Sequence, residues 1–324
     1  MSFITKAIAF LLCGFLLVGC ELPKPPRTID ELVAGTRADD AGAAEELLSF
    51  LGSRSTNDER ALAYRTLLEK GKLIAPRIIE ACTSSDSDAG SGSGYDQGLR
   101  EHALALAANL KLEGTFEAAS KALADPGFKR AHAAAWALGE LGDPAAIGAL
   151  VTALISTPSE IAAREAARAL ARFGPKAIIP LVEGLAAMNT TRRGYALRNL
   201  GELRDVRGRP ALIAALRKPA TRADAVWALG TMGRVKTAEN DGNKIFDLTA
   251  YLQDDDWRVR VEASRSVGLL RDRSAVPQLD ALRQTDGVMA VREWAARGLS
   301  LIKGEPQPYM NSAGEWVITD SLYH

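Results

Sequence analysis

Apolar residues recur every three to four positions through most of this chain, in helix-length runs broken by short turns rich in glycine, proline and aspartate. That is the period of an amphipathic helix. The clearest stretch is Ala131–Ser156, AHAAAWALGELGDPAAIGALVTALIS. It predicts one helix, a tight Gly142-Asp143-Pro144 turn, and a second helix returning along the first. Imperfect copies follow, among them AAREAARALARFGPKAIIPLVEGLAA and VEASRSVGLLRDRSAVPQLDALRQ. With the leucine of the Ala-Leu-Gly signature as a ruler, the marks fall at Leu138, Leu170, Leu200, Leu229, Val267 and Leu299. The steps are 32, 30, 29, 38 and 32 residues. One helix pair fills each step, and one step carries an insertion. A lone pair of short helices cannot bury enough apolar area to offset its ordering entropy, so stacked neighbours must complete the core. The expected fold is all-α: a right-handed α-solenoid of antiparallel helix pairs, an armadillo-type superhelix with a short non-helical C-terminal tail.

The solenoid is expected over residues 28–304. Thr28–Leu51 reads as a helix pair that closes the N-terminal end, broken near Asp39-Asp40 and Gly42, with Thr28 and Asp30 as candidate N-caps. Asp58–Cys82 is a divergent repeat. Residues 83–98, TSSDSDAGSGSGYDQG between Cys82 and Leu99, form a low-complexity surface loop. A second insertion, near 236–244, precedes a helix expected at Ile245–Gln253. Gly142, Gly174 and Gly233 stand where a first helix ends and φ turns positive. Pro76, Pro180, Pro210 and Pro277 fall at the starts of second helices, where a missing N–H costs little. After Gly304 the composition changes. Residues 305–324 form a tail with a short strand at Glu315–Thr319, and two readings stay open. Either it folds back over the last repeat, or it is a free segment that presents Tyr309, Trp316 and Tyr323 to a partner.

Composition adds constraint rather than chemistry. Of 324 residues 47% are hydrophobic but only 6% aromatic, so alanine and leucine must build the core. Small residues let helix axes approach closely. Forty basic and forty acidic side chains cancel, which gives no electrostatic reason to expect nucleic acid. The chain holds three cysteines, Cys13, Cys20 and Cys82. They suggest neither a disulfide framework nor a zinc site.

Met1–Cys20 has the shape of an export signal: Lys6, then an apolar run from Ala7 to Val18 that is short for a membrane span. Its end, Leu17-Val18-Gly19-Cys20, resembles the lipobox of bacterial lipoproteins. The resemblance implies a signal peptide over 1–19 and a mature chain beginning at Cys20, lipidated on its thiol and its amine. Two or more acyl chains anchor a protein stably. With Glu21 rather than aspartate after the cysteine, the same resemblance implies the periplasmic face of the outer membrane, where the cell has two membranes. Pro23, Pro25 and Pro26 make residues 20–27 a stiff tether.

Other candidate chemistry is sparse. Asp86, Asp88 and Asp96 lack EF-hand spacing, since Gly90 stands where an oxygen ligand is needed; the loop's Tyr95 is a candidate contact residue. His102 and His132 share a repeat position, which repetition alone explains. Trp136 and Trp227 also share one, and large aromatics at one helical phase belong to the core. Cys82 is expected to be a small buried apolar residue.

The sequences Asp256-Trp257-Arg258-Val259-Arg260-Val261-Glu262-Ala263 and Ala137-Leu138-Gly139-Glu140-Leu141-Gly142-Asp143 resemble HEAT repeats of the phycobilisome-lyase-like subfamily, over roughly residues 58–303. The resemblance implies a ladder between neighbours, made by an aspartate before the first helix and an arginine on it. Arg130, Arg164, Arg222, Arg260 and Arg292 are the candidates. Two enzymes share the repeat type. Deoxyhypusine hydroxylase holds two irons through His-Glu pairs, and this chain has no His-Glu dipeptide. The bilin lyases act in a compartment that an exported protein does not share. No catalytic group, cofactor, metal or small-molecule substrate is expected. The functional expectation is a lipid-anchored scaffold or adaptor that offers its second-helix face to a protein or peptide in the bacterial envelope. The alternative is a permanent accessory subunit of an envelope complex or exported enzyme.

Overall fold

The computed structural model describes residues 26–83, 97–233 and 246–318. First helices form one layer: α1 (Ile29–Arg37), α3 (Asn57–Lys70), α5 (Gln97–Leu110), α7 (His132–Leu141), α9 (Glu160–Arg172), α11 (Thr190–Leu203), α13 (Pro219–Met232), α14 (Trp257–Leu269) and α16 (Met289–Lys303). Second helices form the other: α2 (Ala41–Ser49), α4 (Ala75–Thr83), α6 (Thr115–Ala124), α8 (Ala146–Ser156), α10 (Ile178–Gly184), α12 (Arg209–Leu216) and α15 (Val276–Thr285). Each first helix packs on the next first helix, and each second helix packs on the first helix that follows it. The fold is an α-solenoid.

Local chemistry sets the boundaries. Thr28 and Thr56 close α1 and α3 with capping boxes to Glu31 and Glu59, satisfying otherwise orphaned amides in both directions. Asp30 lies inside α1, so Thr28 is the cap. Asp40, Ser159 and Asn189 cap α2, α9 and α11. Gly142, Gly174 and Gly233 all take positive φ. Lys111, Arg204 and Arg271 also take positive φ, with side chains that normally avoid it. The expected helix at Ile245–Gln253 is corrected: its described part, from Phe246 onward, holds only a 3₁₀ turn, Thr249–Gln253. Asp247 accepts from both the amide and the hydroxyl of Thr249. That local turn starts too late for an α-helix before Asp254.

The signature leucines sit on one continuous buried line from Leu138 to Leu299. The glycines beside them have a separate cause. A Cβ on Gly201 would lie 2.6 Å from the Ala228 Cα, and one on Gly268 would lie 2.6 Å from the Gly298 Cα. Backbone meets backbone at these crossings, which fixes how closely the first helices stack.

The described part of the tail, residues 305–318, folds back. Tyr309–Met310 (β1) pairs antiparallel with Trp316–Val317 (β2), and β1 lies against α15 and α16. Arg283 donates to the Pro308 carbonyl at 2.7 Å, and Arg292 donates to the Met310 carbonyl at 2.5 Å. The hairpin closes the C-terminal end as α1 and α2 close the other.

Candidate interaction surfaces

The first surface runs along the starts of the first helices and is a ladder. On α5, Arg100 donates through Nε to the Cys82 carbonyl at 2.9 Å and through Nη1 to Asp125 at 2.6 Å. Arg222 on α13 bonds the Leu216 carbonyl and Asp254. Arg260 on α14 bonds the Asp254 carbonyl and, with two nitrogens, Asp286. Each aspartate also accepts from the amide two residues on: Gly127, Asp256 and Val288. One guanidinium thus ties the end of its own pair's predecessor to the start of the next, and the Arg100 hydrogen bond is the main cause holding the Asp125 carboxyl below its usual range.

Of the five ladder arginines expected from sequence, Arg222 and Arg260 occupy such rungs. Arg292 ends on backbone carbonyls of Asp286 and Met310. Arg130 is corrected: it stands just before the Ala131 cap of α7, outside the helix, and reaches back to Glu101 on α5. Arg164 has an outward place on α9 and makes no such rung. Arg100, not among the candidates, is a full one.

Glu101 also bonds His132, whose Nε2 lies 3.1 Å from its Oε1. That contact, and then Arg130, hold the Glu101 carboxyl down at about 2. His102 instead turns its Nδ1 to the Gly98 carbonyl at 2.7 Å, so the two histidines do not face each other. A carboxylate does accompany His132. Among the described residues no group of three potential metal ligands occurs. Cys82 is fully buried, and burial pushes its thiol up to about 12.

The second surface is a stack of arginine and tryptophan. Arg198 (α11) lies 4.8 Å from the ring of Trp227 (α13), with Arg265 (α14) 5.9 Å from the same ring. Arg265 is also 5.4 Å from Trp294 (α16), with Arg297 4.8 Å from that ring. Such contacts are worth about 0.5–2 kcal/mol each, depending on desolvation. Beside them Glu262 is largely buried, and burial raises its carboxyl against the opposing pull of Arg198 and Arg265. Trp227 is core, as expected, while Trp136 is only half-buried. The stack escaped the sequence reading; the spacing of arginine and tryptophan from one repeat to the next was the available signal.

The third surface is the second-helix face. Along α8 no residue is charged, and the outward positions are Gly148, Thr152 and Ser156. Ala214 on α12 and Ala281 on α15 are also outward. Between α6 and α8 runs a groove of about 630 Å³, walled by Ser120, Phe128, Ala149, Thr152, Ser156 and Pro158. The Ser120 hydroxyl oxygen is buried without a hydrogen-bond partner there.

Of the four site residues expected from sequence, Cys20 and Tyr95 lie outside the described residues, as do the prolines at 23 and 25 and most of both insertions. Tyr309 is half-buried in β1, and Trp316 in β2 is 47% exposed, its ring 4.8 Å from Arg283. No described helix is long and apolar enough to cross a membrane.

Residues 116–191 match the model of HEAT repeats, and residues 192–218 match that of the PBS lyase HEAT-like repeat. No curated protein matches the chain. Among solved structures, similarity extends to a chain of the Kap95p–RanGDP complex at 14% identity and a TM-score of 0.49. That alignment covers 85% of this chain and 47% of the other, so this chain spans about half its length. Human deoxyhypusine hydroxylase matches at 19% identity and a TM-score of 0.31, covering 85% and 99%. The Escherichia coli protein YibA matches at 17% identity and 0.46, covering 86% and 99%. Repeat solenoids of this kind carry extended surfaces for protein partners.

Proposed function

We propose that this chain is an exported, lipid-anchored adaptor that holds a protein or peptide of the bacterial cell envelope on its HEAT-repeat solenoid. The observation that carries the protein-binding half lies on the second-helix face at α8, which is free of charge along its length, turns Gly148, Thr152 and Ser156 outward and has a groove beside it. Such a surface lets a partner backbone approach closely, and affinity is shared among several repeats. The anchoring half rests on the order of residues in Met1–Cys20: a basic start, an apolar run and a cysteine where that run stops. The described chain begins its fold at Arg27, whose guanidinium grips Asp40 and Glu46, so a tether would join the solenoid at a fixed point. No catalytic role is proposed, because the polar clusters are ion pairs consumed by the stack itself.

The test pairs fractionation with crosslinking. Wild-type chain should sediment with membranes and resist salt extraction, while Cys20→Ala should move to the soluble fraction. A photo-crosslinker at Thr152 should yield one defined adduct in the envelope. Unchanged membrane association of Cys20→Ala would sink the anchor; no adduct from either Thr152 or Ala214 would sink the second-helix docking face.

A further inference from the structure

The hairpin at the C-terminal end has two edges, and they are treated differently. The hydrogen bond from the Asn311 amide to the Glu315 carbonyl, with Tyr309 opposite Val317 and Met310 opposite Trp316, fixes the alternation. In an antiparallel ladder every second residue turns its amide and carbonyl away from its partner. On β1 the outward carbonyls are those of Pro308 and Met310, and both are already taken, by Arg283 and Arg292. Pro306 and Pro308 add no donors. That edge is closed by the solenoid. On β2 the outward groups belong to Trp316 and Ile318, and among the described residues β2 pairs with β1 alone. Trp316 and Ile318 are two apart, so they share one face of the strand. They are 47% and 58% exposed.

We propose that β2 is a docking edge that takes an extended strand from a partner protein, added antiparallel beside Trp316–Ile318. Main-chain bonds to the Trp316 and Ile318 amides and carbonyls give register. Apolar or β-branched side chains at alternate positions of the incoming strand pack on the Trp316 and Ile318 side chains. Arg283, stacked on Trp316 and bonded to Asp280 and Pro308, holds the platform against α15. A second copy of this chain is the poorer occupant. Two three-residue edges facing each other fall far short of the roughly 1,200–2,000 Å² that a stable dimer buries. A partner strand instead continues past the edge and draws on other contacts. The proposal rests on the protein-binding reading above but uses a different part of the molecule.

The test uses the full chain and a capped ten-residue peptide of alternating valine and threonine at millimolar concentration. Amide hydrogen exchange is followed at Trp316 and Ile318, with Asn311 as the hairpin's internal control. The peptide should slow exchange at Trp316 and Ile318 at least tenfold. Ile318→Pro removes one outward N–H that the hairpin does not use; it should abolish the protection at Trp316 and leave Asn311 protected. Unchanged exchange in the full chain, or protection that survives Ile318→Pro, overturns the proposal. If the Thr152 crosslink forms while the β2 amides stay unprotected, the edge fails and the protein-binding reading stands.

Discussion

Two glutamates show how position alone reverses the sign of a charge's contribution. Glu101 is held at about 2 by His132 and Arg130. Its folded value is depressed, so its stabilisation is complete above the ordinary carboxylate value near 4.5 and is lost as pH falls toward 2. Glu262 is raised by burial, so the native state favours its protonated form. The cost of its charge grows as pH rises from the ordinary carboxylate value near 4.5 and is complete above the raised one. Glu101→Gln should therefore lower stability at pH 7 by about 1 kcal/mol, the scale of a partly exposed ion pair, with the gap closing in urea titrations between pH 4.5 and 2. Glu262→Gln should be at least as stable as the parent at pH 7 in the same titrations. A loss at pH 7 would show that Arg198 and Arg265 outweigh the burial cost. Neither behaviour was legible in sequence. Glu101 and His132 stand 31 residues apart and meet only because α5 and α7 stack. The left-handed Lys111, Arg204 and Arg271 hid for a related reason: the turn is imposed by packing, while the three glycines advertised it by type.

Among elements, the crossing glycines decide how the layers meet. Gly201→Ala places a methyl 2.6 Å from the Ala228 Cα, against backbone that cannot step aside. It should cost about 1–3 kcal/mol. Gly148 on α8 faces open space, so Gly148→Ala should instead gain about 0.5–1 kcal/mol by helix propensity. Chemical denaturation of the two variants settles the comparison, and equal effects would refute the crossing argument. The helix pairs, the prolines and the buried leucine line were all legible because each follows from local period or local chemistry. The rungs were half legible. The resemblance supplied the idea of a ladder, and Arg222 and Arg260 fit it; Arg130 stands before its helix and pairs backwards, a difference that only the third dimension reveals.

For the whole molecule, closed ends are what let a stack of marginal pairs persist. Stability in a solenoid is a sum of pair and neighbour terms, and the last pair has one neighbour fewer. The hairpin supplies it through Arg283, Arg292 and the bond from the Gln307 amide to the Ser300 hydroxyl. Truncation after Gly304 should speed hydrogen exchange in α15 and α16 by tenfold or more and leave α7 to α9 unchanged. A uniform increase along the chain would mean that the stack melts as one unit.

The stack also has a length. Among the described residues nine first helices lie side by side, and at helix spacings of about 9 Å they set α1 and the hairpin roughly 70 Å apart along the row. Salt screens charge over about 8 Å in physiological solution. The two ends are therefore electrically deaf to each other. News of an event at one end can reach the other only as movement, handed from one packed first helix to the next.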